Sequence, residues 1–501
     1  MTKFYITTSI PYVNAKPHIG HALEVVQADV IARYKKIEGN SVYLTTGTDE
    51  NSLKNVLASE KLGMRTSDFC AVNSSLFKEL DDKAGLSYNV FVRTSVDKDH
   101  AKVAAILWNA CSVNGDIYKK KYRGLYCIGC ELFYTENELV DGLCPEHRTK
   151  PELVEEENYF FRLSKYQDRL IRLLESGEVK IIPETRLSEI LNFVKSGLED
   201  FSISRSVKRS HGWGIPVPED DTQIMYVWFD ALGSYLTGAG LPSDGQKFKK
   251  LWPADMHVIG KGIVRFHAVY WLAMLTSAKF ALPKSIFVHG YVTVNGQKMS
   301  KSIGNVIDPV AMIDKYGADP IRYYLMKEIS TFQDGDFSEK TLKEVINNEL
   351  VGNVGNFVNR TLSFIHTKFG GKLDEQKLAE GALLMTDIHS LVDDAKRMLD
   401  RSQLNFALLK ILEVSSKGNK YFQDNEPWKL VKEDERAAKE VLFVCANICR
   451  ILGILSYPYM PSTSEKLLSY FKEKPSKFEA AKTLTKRFEI GSPKILFSKV
   501  E

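Results

Sequence analysis

Short apolar runs alternate with longer amphipathic stretches over the first part of the chain. The runs 4–8 and 41–45 have the length of strands, and apolar residues recur at helical spacing through 22–31 between them. Strands that alternate with longer helices are typical of an α/β fold with a parallel sheet. We therefore expect residues 1–115 to begin a doubly wound sheet with helices on both of its faces.

The pattern changes further along the chain. Strand-like runs return at 225–231, 256–261 and 286–292, after a stretch that breaks the alternation, and the last third shows helical periodicity with little strand signal. The predicted plan has five parts: the first half of a sheet domain (1–115), an insertion (116–224), the second half of the sheet domain (225–305), a mixed linker (306–350) and an α-helical bundle (351–501).

The composition is that of an ordinary globular protein. Hydrophobic residues make up 44% and charged residues 26% of the 501 residues. No uncharged apolar run reaches membrane-spanning length and the N-terminus lacks a signal-peptide pattern, so we expect a cytoplasmic protein with no membrane partner. An organellar form whose transit peptide has been removed would share these features. The net charge of +4 is a weak indication of a polyanionic partner.

Four residues of the insertion have the spacing of metal ligands. Cys127 and Cys130 form one pair, and Cys144 and His147 form a second pair after a small loop. Two such pairs predict a tetrahedral Cys₃His knuckle that holds one structural Zn²⁺ per chain, with no coordination position left open. The alternative is a chance cluster. The odd total of seven cysteines argues against a disulfide framework.

Two motifs carry the candidate chemistry. The first, Pro17-His18-Ile19-Gly20-His21, follows the first strand and opens a helix, where backbone N–H groups favour an anion. His18 and His21 lie three residues apart and should share one helix face, where two imidazoles could bind a polyphosphate. The alternative is a helix start that happens to carry two histidines. The second motif, Lys298-Met299-Ser300-Lys301-Ser302, follows the last strand in a glycine-containing loop.

Together the two motifs resemble the paired signatures of class I aminoacyl-tRNA synthetases, and the chain as a whole is similar to methionyl-tRNA synthetases. The resemblance implies a Rossmann-like catalytic domain, a zinc-knuckle insertion that carries the tRNA acceptor end, a linker domain that contacts the tRNA stem, and an anticodon-binding bundle. It implies ATP-dependent ligation of L-methionine to the 3′ end of initiator and elongator methionine tRNAs. The reaction would pass through methionyl-adenylate, release AMP and diphosphate, and use Mg²⁺ with ATP.

The resemblance also assigns residues to the ATP site. It implies that His18, His21, Lys298 and Lys301 are catalytic. It implies that these four residues bind ATP together with Gly20, Glu24, Arg205, Gly260, Lys261 and His289. One position departs from the family pattern, because the family often has an acid where this chain has Gly262. If that acid normally holds the ribose, Glu24 is the remaining candidate for the ribose hydroxyls.

A methionine pocket is implied by a further set of residues. Ile263, His267 and Trp271 lie four apart and so share one face of a predicted helix, which without context would be an aromatic core stripe. Methionine is long and polarizable and packs well against aromatic faces. Asp49 would bind its amino group, although an N-cap is the commoner role for an Asp there. The implied pocket comprises Ile10, Tyr12, Asp49, Trp228, Ala231, Leu232, Tyr235, Ile263, His267 and Trp271.

The helical bundle contains the implied anticodon site. Asn356 and Arg360 can share a helix face, and Trp428 follows a proline that can start a helix. Trp428 would stack on a splayed base while the other two hydrogen-bond to bases, although a core Trp and a surface Asn–Arg pair are the ordinary alternatives. Some relatives continue into an oligonucleotide-fold module that forms dimers. The sequence ends after the bundle, so we expect a monomer.

Three other interpretations compete with this one. A class I synthetase for cysteine, leucine or valine would share the motifs, but the insertion is too short for an editing domain, and the cysteine enzyme binds zinc in its catalytic domain. A non-catalytic tRNA-binding paralogue would be expected to lose motif residues. An adenylyltransferase that charges no tRNA would not need the helical last third. The sequence indicates no general base for the transfer to tRNA, and substrate phosphate is one candidate.

Overall fold

A six-stranded parallel sheet forms the centre of the catalytic half. The computed structural model describes residues 2–129, 132–134, 136–145, 148–299, 304–378 and 381–501. The sheet has the spatial order Val90–Arg93, Ser41–Thr48, Lys3–Thr8, Met256–Gly260, Ser285–His289 and Lys180–Ile182, and all neighbours are parallel. The predicted α/β class with a parallel sheet is therefore confirmed.

The order of strands reverses direction beside the first strand. Lys3–Thr8 pairs with Ser41–Thr48 on one side and with Met256–Gly260, which comes much later in the chain, on the other. In open α/β sheets such a switch point leaves a crevice at the carboxyl ends of the strands, where ligands bind. The first motif follows the carboxyl end of the strand Lys3–Thr8, so the topology places the motif at this crevice.

The predicted insertion contains an unexpected strand of the central sheet. Lys180–Ile182 pairs with Ser285–His289 and forms one edge of the sheet. A strand of three residues carries no periodicity, so the sequence does not predict it. The prediction that the sheet resumes at 225–231 is wrong: Asp220–Met225 belongs to a separate antiparallel sheet, and Val227–Ala231 is helical. A short apolar run cannot be assigned to strand or helix by periodicity alone.

The described residues form four smaller sheets besides the central one. They comprise Leu132–Tyr134, Ile117–Cys127, Glu152–Phe161 and Phe201–Ser202; Pro216–Val217, Asp220–Met225 and Ser204–Ser206; Gln297–Lys298, Val292–Val294 and Gly335–Asp336; and Lys372–Asp374 with Arg487–Glu489.

The helices of the catalytic half cover both faces of the central sheet and join its strands. They are Ile19–Ile37, Leu53–Lys61, Thr66–Lys83, Lys98–Val113, Gln167–Glu175, Glu184–Lys195, Val227–Ala231, Ser234–Gly238, Gly245–Leu251, the π-helix Phe266–Trp271 and Leu272–Ser277, with short 3₁₀ turns at Glu136–Glu138, Leu163–Tyr166 and Lys261–Ile263.

The last third is helical, as predicted. Its helices, with those that lead into it, are Pro309–Tyr316, Ala318–Lys327, Glu339–Val345, the π-helix Ile346–Gly355, Asn356–Phe369, Gly381–Asp400, Leu404–Asp424, Pro427–Glu433, Glu435–Ser456 and Pro461–Ser469, with a 3₁₀ turn at Phe478–Lys482. Glu435–Ser456 is the central helix of the bundle, because its last half is buried on every side. None of the helices in the described part of the chain is both long and apolar enough to cross a membrane.

The first helix, Ile19–Ile37, connects the crevice to the bundle. Asp29 on this helix forms a buried ion pair with Arg322, whose Nη2 lies 2.7 Å from Asp29 Oδ2. Arg322 Nε also donates to the carbonyl oxygen of Tyr459 (2.8 Å). One turn further along the helix, the Tyr34 hydroxyl donates to Asp400 Oδ1 at 2.8 Å. A single helix therefore begins at the first motif and ends against the helical last third.

Candidate active site

The two histidines of the first motif are held together at the start of the first helix. His18 is the N-cap residue and so lies just before the helix. The prediction that it shares a helical face with His21 is therefore wrong. The two rings nevertheless stack, with centroids 3.8 Å apart. His18 Nδ1 accepts from the Gly20 N–H (3.1 Å), and His21 Nδ1 accepts from the His18 N–H (3.0 Å).

These bonds fix which nitrogen of each neutral ring carries the proton. An Nδ1 that accepts a hydrogen bond carries no proton, so the ring proton lies on Nε2 in both His18 and His21. Burial lowers the pKa of His21 well below its ordinary value. His21 is therefore a neutral donor at physiological pH, and its Nδ1 is already used to hold His18.

A cavity of about 230 Å³ lies against this motif. It occupies the carboxyl ends of the strands Met256–Gly260 and Ser285–His289, at the predicted crevice. Six residues predicted to bind ATP line it: His18, Gly20, His21, Glu24, Gly260 and His289. Glycines on its wall let a ligand approach the backbone closely.

Glu24 holds two walls of this cavity together. Its Oε1 accepts from the N–H and the hydroxyl of Ser9 (2.8 and 2.6 Å), and its Oε2 lies 2.9 Å from His289 Nε2. Both carboxylate oxygens are thus engaged within the protein. Glu24 therefore connects the first strand to His289, and the ribose contact that the sequence suggests for it stays a prediction.

A second cavity of about 430 Å³ lies beside the first. Tyr12, Trp228, Lys261 and Ile263 line it, so Lys261 is on this side although it was predicted to bind ATP. The Trp228 ring stacks on Phe266 with centroids 3.9 Å apart and planes 3° from parallel. The wall is therefore a rigid pair of aromatic faces, which suits a polarizable side chain.

A neutral hydrogen-bonded chain supports this wall from behind. His267 Nδ1 donates to the carbonyl oxygen of Ile263 (2.9 Å), which leaves Nε2 to accept from the Tyr235 hydroxyl (2.7 Å). Burial lowers the pKa of His267 to about 4, so the ring is uncharged at neutral pH. Four further residues predicted for the pocket are buried in this layer: Ala231, Leu232, Tyr235 and Trp271.

Asp49 does not cap a helix, and its Oδ1 accepts from the Asn51 N–H (3.2 Å). It lies at the end of the second strand, buried, with its backbone bridged to that of Tyr12. The following helix, Leu53–Lys61, is capped by Ser52, whose hydroxyl accepts from the Lys54 N–H. The N-cap alternative for Asp49 is therefore excluded. Ile10 is half-buried two residues before Tyr12.

The structure contradicts the predicted position of Arg205. Its side chain does not line the cavity beside the first motif but a separate one in the insertion. The guanidinium lies 4.5 Å from the ring centroid of Tyr226 and donates to the Ser204 carbonyl oxygen (2.7 Å). Aromatic rings that are distant in sequence enclose it, so the sequence could not indicate that this basic residue is buried in a cage.

The second motif lies only partly within the described residues. Gln297–Lys298 pairs with Val292–Val294 in a hairpin, and Met299 lines the cavity beside the first motif. The hairpin therefore brings Met299, within the described part of the motif, to the cavity that His18 and His21 line. Lys301 lies outside the described residues.

The anticodon candidates meet on the surface of the bundle. The Arg360 guanidinium lies 5.3 Å from the ring centroid of Trp428 and 4.6 Å from that of Phe422. Trp428 is half-buried, and Asn356 is exposed one turn before Arg360 on the same helix. The structure thus brings together Arg360 and Trp428, which are far apart in sequence.

Two of the four predicted zinc ligands are described. Cys127 and Cys144 are buried and belong to one small cluster with Tyr134. Cys130 and His147 lie outside the described residues, and within the described part no three potential ligands come together. Two thiols in one buried cluster fit one half of a Cys₃His site, and the zinc knuckle stays a prediction.

We expect elemental analysis to find about one Zn²⁺ per chain. Replacing Cys144 with Ser should lower the zinc content sharply, because a hydroxyl is a poor zinc ligand. The matched control is Cys70→Ala, since Cys70 is also buried but lies outside the insertion. A folded wild-type protein without zinc, or a Cys144→Ser variant with full zinc content, would contradict the prediction.

Three residues at the site were not predicted. Phe266 stacks on Trp228, Tyr291 lines both cavities, and the Lys54 ammonium lies 4.5 Å from the ring centroid of Tyr12. Phe266 and Tyr291 each lie within two residues of a predicted site residue, His267 and His289. That proximity was the only signal in the sequence, because both also fit the pattern of a buried core.

Comparisons with known proteins agree with this geometry. A family model described as "tRNA synthetases class I (M)" matches residues 4–150 and 147–362, and one described as "Anticodon binding domain of methionyl tRNA ligase" matches 372–501. The methionine–tRNA ligase of Brucella melitensis is 41% identical over 488 residues, which cover 96% of this chain and 94% of that protein. The enzyme of Mycobacterium tuberculosis is also 41% identical over 488 residues, with 95% and 93% coverage. The structure of methionyl-tRNA synthetase from M. tuberculosis in complex with methionyl-adenylate superposes with a TM-score of 0.94 and 38% identity, over 99% of this chain and 100% of that one.

Proposed function

Because the chain belongs to the methionine–tRNA ligase family of class I aminoacyl-tRNA synthetases, we infer that its two neighbouring cavities hold the two substrates of that reaction. The enzyme ligates L-methionine to methionine tRNA with ATP, through methionyl-adenylate. One observation carries the assignment of substrates to cavities: the two cavities share Gly262, Ile263 and Tyr291 as walls. Methionine in one and ATP in the other would therefore meet there.

In the first step the methionine carboxylate attacks the α-phosphorus of ATP. A new oxygen–phosphorus bond forms and the bond to the diphosphate breaks, so no protein nucleophile is required. His18 and His21 would donate to phosphate oxygens as charge develops on them, and Lys298 and Lys301 would neutralise the departing diphosphate. Mg²⁺ bound with ATP supplies further charge neutralisation. The protein contributes positioning and electrostatic stabilisation.

Methionine is recognised by one charge and an apolar wall. Asp49 would bind the ammonium group at the end of the second strand. The stacked pair Trp228 and Phe266 would cover the side chain, and the neutral pair Tyr235 and His267 would lie beneath it. An uncharged, polarizable wall accepts a thioether and leaves a charged side chain without a partner.

In the second step the terminal ribose hydroxyl of the tRNA attacks the adenylate carbonyl and AMP leaves. We assign no side chain as the base, and the adenylate phosphate can take the proton.

The linker 306–350 would contact the tRNA stem, and Asn356, Arg360 and Trp428 would bind anticodon bases. The other proposals are a zinc knuckle in the insertion, a monomer and a cytosolic location.

Replacing Trp428 with Ala should lower kcat/KM for tRNA aminoacylation by about tenfold, the value of one lost base stack. Methionine-dependent ATP–pyrophosphate exchange should not change, because adenylate formation needs no tRNA. Phe406→Ala is the matched control, since Phe406 is 51% exposed on another bundle helix. An equal loss in both reactions would show that Trp428 acts through folding and would remove it from the anticodon site.

The order of the two steps can be tested directly. Incubating the protein with methionine and ATP labelled at the α-phosphate should yield labelled methionyl-adenylate on the enzyme without tRNA. Adding methionine tRNA should then convert it to labelled AMP and methionyl-tRNA in a single turnover. Labelled methionyl-adenylate that forms only when tRNA is present would contradict the two-step assignment.

A further inference from the structure

Gly262 and Tyr291 occupy each other's space at the boundary of the two cavities. A Cβ atom added to Gly262 would lie 1.9 Å from the Tyr291 hydroxyl oxygen and 3.2 Å from Tyr291 Cζ. The first distance is far shorter than any non-bonded contact. The hydroxyl therefore fills the volume that a side chain at position 262 would need, and only glycine is compatible with it.

The hydroxyl lies where the two substrates should meet. Tyr291 lines the cavity beside the histidines and also the cavity beside Trp228, and Gly262 does the same. A nucleotide whose phosphates lie at His18 and His21, and whose α-phosphate meets the methionine carboxylate, must place its sugar close to this shared wall. A hydroxyl both donates and accepts, which matches the hydroxyls of a sugar.

Tyr291 is held in this position by its neighbours. Its backbone N–H donates to Asp334 Oδ1 (2.9 Å), and Asp334 Oδ2 forms an ion pair with Lys261 Nζ at 2.8 Å. The same Lys261 ammonium lies 4.7 Å from the centroid of the Tyr291 ring. Backbone and ring are thus fixed by one Asp–Lys pair, so the hydroxyl is preorganised.

The other candidate for the sugar is already engaged. Both carboxylate oxygens of Glu24 are used by Ser9 and His289. We propose that the Tyr291 hydroxyl binds a ribose hydroxyl of the nucleotide, from the space that a side chain at position 262 would occupy. This inference rests on the proposed placement of ATP in the cavity beside the histidines.

The test compares ATP with its 2′-deoxy and 3′-deoxy analogues in methionine-dependent pyrophosphate exchange. The wild-type enzyme should prefer ATP over one of the analogues, and Tyr291→Phe should lower kcat/KM for ATP about fivefold, as for one uncharged hydrogen bond. The variant should use ATP and that analogue equally well, with an unchanged KM for methionine. Tyr470→Phe, which removes a hydroxyl that donates to the Lys494 carbonyl oxygen in the last third, should keep the wild-type preference.

A second variant excludes a merely structural effect. Removing the hydroxyl leaves Tyr291 Cζ as the nearest atom to an added Cβ, so Gly262→Asp should be accommodated in the Tyr291→Phe background after a small shift. The double variant should regain a preference for ATP, because a carboxylate then occupies the same space. An unchanged preference in Tyr291→Phe, or a wild type that uses all three nucleotides equally, would overturn the inference. A wild type without methionine-dependent exchange would instead contradict the proposed function.

Discussion

Replacing His21 with Ala should lower the rate of methionyl-adenylate formation by about 10²–10³-fold, the effect of removing one preorganised donor to developing charge. His21 makes two contributions. Its Nε2–H would donate to a phosphate oxygen in the cavity that His21 lines, and its Nδ1 accepts from the His18 N–H and so orients the neighbouring imidazole. Its depressed pKa keeps it neutral, so the rate should not fall as the pH drops from 8 to 7. Single-turnover formation of the adenylate, with and without tRNA, measures the effect.

A second substitution separates the two contributions of His21. The amide oxygen of Asn can accept from the His18 N–H much as Nδ1 does, but Asn places no donor where Nε2–H lies. His21→Asn should therefore be nearly as slow as His21→Ala. His211→Ala is the control, because His211 is exposed and pairs only with Glu60 in the described structure. A His21→Asn variant with the wild-type rate would show that His21 contributes only its hydrogen bond to the His18 N–H and donates nothing to the substrate.

Replacing Arg322 with Met should destabilise the folded protein by about 3–5 kcal/mol, the cost of removing one partner of a buried ion pair. Arg322 and Asp29 are almost completely buried, and Arg322 also donates to the carbonyl oxygens of Ala84, Pro458 and Tyr459. Burial alone would raise the pKa of Asp29, but Arg322 and Arg33 lower it overall. Without Arg322 three carbonyl groups lose a buried donor, and Asp29 keeps only Arg33 as an ionic partner (2.6 Å) among the described residues. Thermal unfolding should begin at a clearly lower temperature.

The control for Arg322 is an ion pair of the same type on the surface. Arg65 pairs with Asp68 at 2.7 Å, but its side chain is 80% exposed, so Arg65→Met should leave the unfolding temperature unchanged. The double variant Asp29→Asn with Arg322→Met should lose less stability than the sum of the two single variants, because both members of one ion pair are removed together and the amide oxygen keeps an acceptor for Ser87. Equal unfolding temperatures for Arg322→Met and Arg65→Met would show that the buried pair does not stabilise the fold.

Periodicity predicted those parts of the fold in which strands and helices are long. Lys3–Thr8, Ser41–Thr48 and the helical last third follow from local pattern, and the structure confirms them. Lys180–Ile182 was missed because its place in the sheet depends on pairing with a strand a hundred residues later. Tertiary pairing, which no window of sequence contains, decides such short strands.

The same limit applies to the site. Residues in or near a motif, such as His18, His21 and His289, lie together beside one cavity, and their binding of ATP stays a prediction. The position of Arg205 could not be predicted, because the rings that enclose it come from other parts of the chain. Tyr291 could not be predicted as a site residue, because its hydroxyl occupies the space that a side chain at Gly262 would need. A sequence shows the charge and spacing of residues. Which rings enclose a side chain, and which two residues compete for the same space, can be seen only in the folded structure.

The most direct test of the account is amino-acid-dependent ATP–pyrophosphate exchange without tRNA, run with each of the twenty amino acids. Strong exchange with methionine alone is expected, because the proposed pocket wall of Trp228, Phe266 and the neutral Tyr235–His267 pair suits a long, uncharged, polarizable side chain. Stronger exchange with another amino acid would contradict the assignment of that wall. No exchange with any amino acid, in a folded and zinc-loaded protein, would contradict the catalytic role of the two motifs.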